Sequence, residues 1–183
     1  GRWWPRAVRL LARMREAAAE PGAIARNAAM GSCEQRWPLC LELLDGALRA
    51  HLEPDALSFA AAMSACETSL RWELALGLLG GSAALGLETA TALVNVVVSA
   101  CGKGQRWETA CGLLGESWGV CGRAPDVVTY NSAVSACGHR QQLEHAFALI
   151  SEMRSQRLSP DEFTFTFAVA ACERRGDWPE ALR

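Results

Sequence analysis

The sequence repeats itself with a period close to 35 residues. A short motif ending in Ala-Cys occurs four times, and its cysteines, Cys66, Cys101, Cys137 and Cys172, are 35, 36 and 35 residues apart. A looser copy ends at Cys33, which lies 33 residues before Cys66. Repetition at periods of roughly 20–50 residues is typical of solenoids, propellers and arrays, whose units are stabilised by stacking on their neighbours. The fold must therefore be built from stacked copies of one small unit.

A second motif alternates with the first, and its spacing is helical. Its apolar residues fall at i, i+3, i+6 and i+7, as in Trp72, Ala75, Leu78 and Leu79. These positions form one stripe of an α-helix, whereas a half-buried strand would alternate by two. The copies begin at Trp4, Trp37, Trp72, Trp107, Leu143 and Trp178. We expect the tryptophans to lie in the core between neighbouring helices.

The element that carries the cysteine motif is predicted to be helical as well. Its copy at 93–98 is rich in valine and could form a strand, but the matching copy at 58–63 favours a helix. Equivalent units must share a conformation in order to stack. Glycines 102, 104, 138 and 176 are expected to end or turn this first helix. Two second helices contain several glycines, each of which lowers helix stability by roughly 1 kcal/mol relative to alanine. We therefore expect these helices to fray or break at Gly77, Gly80, Gly81, Gly112 and Gly115.

The unit is thus helix, turn, helix, loop, and it divides the whole chain. The predicted repeats are 23–55, 56–90, 91–126 and 127–161, preceded by the second half of a repeat at 1–22 and followed by a truncated copy at 162–183. The fold class is all-α, a single solenoid of helix-turn-helix repeats. Because the chain opens inside a repeat and lacks an initiator methionine, we expect it to be a fragment.

Composition excludes several classes of protein. Half of the residues are apolar and 21% are charged, which is typical of a folded chain. No apolar stretch approaches the roughly 18–20 residues that cross a bilayer, so no membrane partner is expected. The eight cysteines include no C-x-x-C pair, so free thiols in a reducing compartment are expected. The net charge of −2 gives no general attraction for a polyanion.

The segment 127–137 reads Val-Val-Thr-Tyr-Asn-Ser-Ala-Val-Ser-Ala-Cys, and it is followed by Glu144, Ala146, Glu152-Met153 and Pro160-Asp161. This combination resembles the pentatricopeptide repeat. The resemblance extends over the whole chain and is strongest at 127–161 and weakest at 56–90. It implies a right-handed α-α superhelix whose first helices line a concave groove, with each repeat meeting one base of single-stranded RNA.

The same resemblance assigns roles to particular positions. The fifth and last residues of a repeat choose the base, and in three repeats they are asparagine and aspartate, a pairing that favours uracil, with cytosine second. The pairs are Asn27 with Asp55, Asn95 with Asp126, and Asn131 with Asp161. The repeat 56–90 has Ala60 and Ala90 instead, so no base preference is assigned to it, and Thr166 is the fifth residue of the truncated copy.

Two further positions are implied to contact RNA. The second residue of each repeat should sandwich a base, and all five are apolar: Ile24, Leu57, Ala92, Val128 and Phe163. The thirteenth should lie near phosphate, and in three repeats it is basic: Lys103, His139 and Arg174. A line of basic residues could bind a phosphate backbone although the total charge is acidic.

Each of these positions also has a purely structural reading. Aspartate after proline is a common helix N-cap, apolar second residues could pack between helices, and the basic residues could form a solvated edge. Asparagine is harder to explain structurally, because inside a helix its side chain competes for backbone hydrogen bonds.

The sequence therefore predicts a sequence-selective binder of single-stranded RNA that acts in organelle RNA processing, stability, editing or translation, in a mitochondrion or chloroplast. It is not predicted to be an enzyme, because no metal-ligand spacing, deaminase signature or phosphate-binding loop occurs, and no metal or cofactor is expected. Two alternatives remain open. The array could be a scaffold that grips protein partners along the same groove, or the targeting arm of a larger RNA-processing enzyme.

Overall fold

The computed structural model describes residues 4–16, 21–33, 36–87, 91–121, 125–139 and 142–175. Within these ranges all regular secondary structure is α-helical, which confirms the predicted fold class. The helices are α1 Trp4–Glu16, α2 Ala23–Gly31, α3 Trp37–Arg49, α4 Ala56–Thr68, α5 Trp72–Ala84, α6 Thr91–Lys103, α7 Trp107–Cys121, α8 Val127–His139, α9 Leu143–Ser155 and α10 Glu162–Arg175. The valine-rich segment is helical as predicted, because it lies inside α6. The division into repeats remains an interpretation of the sequence.

The chain forms two compact units, Gly1–Thr89 and Ala90–Arg183. In the first unit, α2 packs on α3 and α4, and α4 packs on α5. In the second unit, α8 packs on α6, α7, α9 and α10. In both units, therefore, consecutive first helices of the helix pairs lie against each other.

Together, the cores of the two units combine leucine, valine and aromatic side chains with many small and sulfur-containing ones. The motif cysteines Cys33, Cys66, Cys101 and Cys137 are each at most 1% exposed, and the six cysteines whose side chains are described are free thiols. Alanine and cysteine at these positions let helix backbones approach closely. The side chains of Cys121 and Cys172 lie outside the described part.

Two glycine predictions were wrong. Gly102 does not end α6 but lies buried in its last turn, where an added Cβ would come 3.2 Å from the Cβ of Ala136 on α8. It permits the close approach of α6 and α8, and Gly138 likewise lies within α8. The second helices α5 and α7 are continuous in spite of their glycines, because packing of their apolar face outweighs the modest propensity cost.

The tryptophans, which we expected in the core between neighbouring helices, are less buried than the cysteines and alanines of the core. Trp37, Trp72 and Trp107 are half-buried at the first residue of their helices. The Arg71 guanidinium lies 5.1 Å from the ring centroid of Trp37. Arg36 lies over Trp4 in the same way, at 4.4 Å. In both cases an arginine that precedes the second helix of the following pair covers one face of the ring.

Candidate nucleic-acid interface

The three predicted asparagine–aspartate pairs are joined by hydrogen bonds. Asn27 on α2 donates from Nδ2 to the Asp55 carboxylate at 2.9 and 3.0 Å. Asn95 on α6 donates to Asp126 at 3.2 and 3.3 Å. Asn131 on α8 donates to Asp161 at 3.0 and 3.1 Å.

Each asparagine also accepts a hydrogen bond from a hydroxyl that sequence reasoning missed. The hydroxyls belong to Ser58, Thr129 and Thr164, each of which lies three residues after the aspartate. Ser58 Oγ donates to Asn27 Oδ1 at 2.7 Å, and Thr164 Oγ1 donates to Asn131 Oδ1 at 2.5 Å. Thr129 donates to Asn95 in the same way. We call each group of three an Asn-Asp-hydroxyl set.

The aspartates hold these sets in place because they also cap the following helix. Asp55 Oδ1 accepts the backbone N–H of Ser58 at 2.8 Å, and the Asp55 N–H donates to the Ser58 hydroxyl at 3.3 Å. This reciprocal capping box starts α4. The same pair of bonds links Asp126 to Thr129 and Asp161 to Thr164. The N-cap reading of the aspartates is thus correct, and the carboxylates bind the asparagine amides as well.

The contacts keep the three carboxylates ionised. For Asp55 and Asp126, partial burial raises the pKa, but the backbone N–H and hydroxyl of the capped residue and the asparagine amide together lower it below its usual value. For Asp161 the backbone N–H of Thr164 is the main cause of a lowered pKa. A charged acceptor strengthens its hydrogen bonds to the amide.

The second-position side chains are exposed, contrary to the packing alternative. Ile24, Leu57, Val128 and Phe163 are 87%, 68%, 57% and 68% exposed, and Ala92 is exposed too. Each lies three residues before the fifth position on the same helix, so the two side chains share a face. An exposed apolar side chain and the fifth residue therefore lie side by side on one surface of each first helix.

The remaining predicted residues are less completely described. Lys103 is exposed in the last turn of α6, whereas the side chains of His139 and Arg174 lie outside the described part. Thr166 is exposed, and its hydroxyl donates to the backbone carbonyl of Glu162. Ala60 is half-buried on α4, and Ala90 lies outside the described residues.

The sequence did contain a signal for the missed hydroxyls. Aspartate followed three residues later by serine or threonine is the pattern of a capping box, and it occurs at 55–58, 126–129 and 161–164. The repeat 56–90 has no such set, because Ala60, Ala90 and Leu93 stand at the sequence positions that correspond to its three members. The hydroxyl therefore accompanies the asparagine and aspartate in every copy in which both are present.

Polar clusters and buried polar atoms among the described residues limit what the site can bind. Among them no group of three histidine, cysteine, aspartate or glutamate side chains could hold a metal ion. No described helix is long and apolar enough to span a bilayer. Every buried side-chain nitrogen or oxygen of the described part has a hydrogen-bond partner. The chemistry available at the sets is recognition by hydrogen bonding.

Comparison with known proteins shows which family and which solved structures the chain is similar to. A model of the PPR repeat family matches residues 125–182. The crystal structure of the pentatricopeptide repeat protein PPR10 from maize is 26% identical over 98% of this chain, with a TM-score of 0.78, and the match covers 26% of that chain. Comparison with curated proteins gives no significant match. The chain is an α-helical repeat protein, and its residues 125–182 match the PPR repeat family. It spans about a quarter of the maize protein's length.

Two more structures share this fold. PPR10 in complex with an 18-nt psaJ RNA element has a TM-score of 0.81 at 18% identity, covering 97% of this chain and 26% of that chain. The PPR domain of Arabidopsis thaliana protein-only RNase P 1, in complex with tRNA, has a TM-score of 0.76 at 9% identity, covering 93% of this chain and 90% of that domain. At these identities the likeness concerns the fold.

Proposed function

We propose that this chain binds single-stranded RNA and that each Asn-Asp-hydroxyl set contacts one base. The observation that carries the proposal is the threefold recurrence of the same set beside an exposed apolar second residue. Solved structures of the same fold contain an RNA element or a tRNA, which supports the assignment. No catalytic step is proposed for the chain.

The sets supply the two components that base recognition requires. A free N–H and a free lone pair on each asparagine amide can pair with a base edge. Exposed apolar residues of consecutive helix pairs, such as Val128 and Phe163 beside Asn131, can contact the two faces of the base. Because the total charge is −2, stacking and hydrogen bonding must contribute much of the affinity.

We further propose a preference for uracil at the three sets and a role in RNA processing, stability, editing or translation in a mitochondrion or chloroplast. The asparagine–aspartate pairing supports the first part, and the match of residues 125–182 to the PPR repeat family supports the second. Imaging of the tagged full-length protein tests the compartment, and exclusive nuclear or cytosolic signal would contradict it.

The binding proposal is tested by titrating short fluorescent homopolymers of U, C and A at two salt concentrations. We expect tightest binding to oligo-U and weaker binding at the higher salt, because phosphate contacts release counterions. Asn131→Ala should reduce the preference for oligo-U while the far-UV circular dichroism stays unchanged. Absence of binding to every RNA would refute the proposal and favour the protein scaffold.

One comparison favours a second candidate, in which the repeats guide a catalytic domain. Nuclear proteinaceous RNase P 2 from A. thaliana has a TM-score of 0.70 at 16% identity, and the match covers 85% of this chain and 35% of that chain. A fold that occupies about a third of an RNase P chain is compatible with an RNA-binding arm. Assay of the full-length protein for RNA cleavage, with this chain alone as the control, decides between the two.

A further inference from the structure

The buried hydroxyl of each Asn-Asp-hydroxyl set has a role that helix capping does not explain. Thr129 and Thr164 are fully buried, and Ser58 is 5% exposed, so these hydroxyls reach no ligand directly. Each contacts the Oδ1 atom of an asparagine on the preceding first helix. Any effect on a bound base must therefore pass through the asparagine.

The distances show where the hydroxyl proton goes. Ser58 Oγ is 2.7 Å from Asn27 Oδ1 but 3.0 Å from Asp55 Oδ1. Thr164 Oγ1 is 2.5 Å from Asn131 Oδ1 but 2.9 Å from Asp161 Oδ1. A hydroxyl has one hydrogen to donate, and the asparagine oxygen is the nearer acceptor in each set. The hydroxyl oxygen in turn accepts the aspartate N–H.

This arrangement fixes the orientation of the asparagine amide. Its Nδ2 faces a carboxylate, which can only accept, and its Oδ1 faces a hydroxyl that donates. Rotating the amide by half a turn would bring Oδ1 against the carboxylate, which is a repulsive contact. The hydroxyl would also lose its nearer acceptor and would have to turn its proton to the more distant aspartate oxygen. Carboxylate and hydroxyl therefore favour the same orientation.

A fixed amide can tell two pyrimidines apart. Uracil presents an N–H donor next to a carbonyl acceptor, whereas cytosine presents an acceptor next to an amino donor, in the opposite spatial order. An amide that rotates freely can match either base by turning over, whereas a fixed amide matches only one order. The orientation of Asn27, Asn95 and Asn131 is therefore itself a determinant of base choice.

We propose that Ser58, Thr129 and Thr164 are positioning residues that set the choice between uracil and cytosine by fixing the amides of Asn27, Asn95 and Asn131. This inference rests on the proposed RNA binding. It predicts that the identity of the third residue of a repeat changes the base preference of the repeat before it.

The test uses the whole chain with Thr129→Val, which is close to isosteric and lacks the hydroxyl, and Thr129→Ser, which keeps it. The ratio of the oligo-U to oligo-C dissociation constants is the readout. We expect Thr129→Val to reduce discrimination roughly 2- to 10-fold, the factor that corresponds to one neutral hydrogen bond. Thr129→Ser should keep the wild-type ratio. Combining Thr129→Val with Thr164→Val should reduce it further.

A double-mutant cycle separates positioning from helix capping. In an Asn95→Ala background, Thr129→Val should no longer change the ratio, because the amide on which it acts is absent. A loss of overall affinity or thermal stability in both backgrounds, with an unchanged ratio, would mean that the hydroxyl only caps α8. If Thr129→Val does not fold, Ser58→Ala gives the same test in the first unit.

The outcomes distinguish this inference from the proposed function. Wild-type protein that binds no RNA overturns both. Wild-type protein that prefers oligo-U, together with a Thr129→Val variant that keeps the full preference, overturns the positioning role alone. A reduced ratio for Thr129→Val that persists without Asn95 also overturns it, because the effect would then not pass through the amide.

Discussion

The strongest stability prediction concerns Asp126, whose carboxylate stabilises the second unit in two separate ways. It accepts the Thr129 N–H at 2.9 Å at the start of α8, and it accepts the Asn95 amide at 3.2 and 3.3 Å from α6. Asp126→Ala removes both contacts. Asp126→Asn keeps the cap, because asparagine is as good an N-cap as aspartate, and loses only the charged contact with the amide.

The two variants should therefore differ by the contribution of the cap. Loss of an aspartate cap costs about 1 kcal/mol. Loss of the amide contact adds about 0.5–1 kcal/mol, at the low end for a hydrogen bond because both groups are only half-buried and water can replace the partner. We expect Asp126→Ala to lower the free energy of unfolding by about 1.5–2 kcal/mol, and Asp126→Asn by about 0.5–1 kcal/mol.

Urea denaturation followed by circular dichroism measures the total change, and hydrogen exchange of the α8 amides places it in the second unit. Glu42→Ala is the matched control, because Glu42 is an exposed carboxylate within α3 and its removal should change stability by less than about 0.5 kcal/mol. Asp126→Ala that is no less stable than this control would refute the argument.

The effect should also depend on pH in a defined direction. The pKa of Asp126 is lowered in the folded chain, so its ionised form contributes stability that is complete above the unfolded pKa of about 3.9 and is lost as the pH falls through the folded value. The stability difference between wild type and Asp126→Asn should therefore be constant near neutral pH and shrink below about pH 4.

Three further changes test the packing of the helices. Gly77→Ala should raise the free energy of unfolding by about 0.5–1 kcal/mol, because the added Cβ meets open space beside α5. Gly102→Ala should give no gain or a loss, because its Cβ would lie 3.2 Å from the Cβ of Ala136 on α8. Equal melting temperatures for the two variants would contradict this. The Sγ atoms of Cys111 and Cys137 are 3.7 Å apart, so oxidised glutathione should link these two residues in a disulfide and be reduced to two glutathione thiols. A mass decrease of two hydrogen atoms would confirm the disulfide, and alkylation of both thiols after the treatment would contradict it. Arg71→Ala should cost about 0.5–1 kcal/mol through loss of its cation–π contact, and Arg71→Lys should cost less.

The fold could be predicted from the sequence because its signal is repeated. One copy of the valine-rich segment 93–98 favours a strand, but the sibling copy at 58–63 favours a helix, and stacking requires them to agree. The predictions for Gly102 and for the glycines of α5 failed for a related reason. Helix propensity describes an isolated segment, whereas Gly102 and the glycines of α5 respond to what packs against them, and that information is absent from the local sequence.

The candidate site was predicted in part. Asparagine and aspartate could be paired by position, and the structure joins them by hydrogen bonds. The hydroxyls were missed because a serine or threonine three residues into a helix is so common as a capping residue that its second contact is not expected. That contact reaches a residue more than 30 positions earlier, as with Ser58 and Asn27, so only the three-dimensional structure shows it.

Because each Asn-Asp-hydroxyl set is completed by the helix pair that follows it, the interchangeable module of this protein does not coincide with its repeat. A segment transplanted from 91 to 126 would bring Asn95 and Asp126 but would take its hydroxyl from the host. Engineers who wish to move one reading specificity intact should place the junction after Thr129, within the first turn of the next helix.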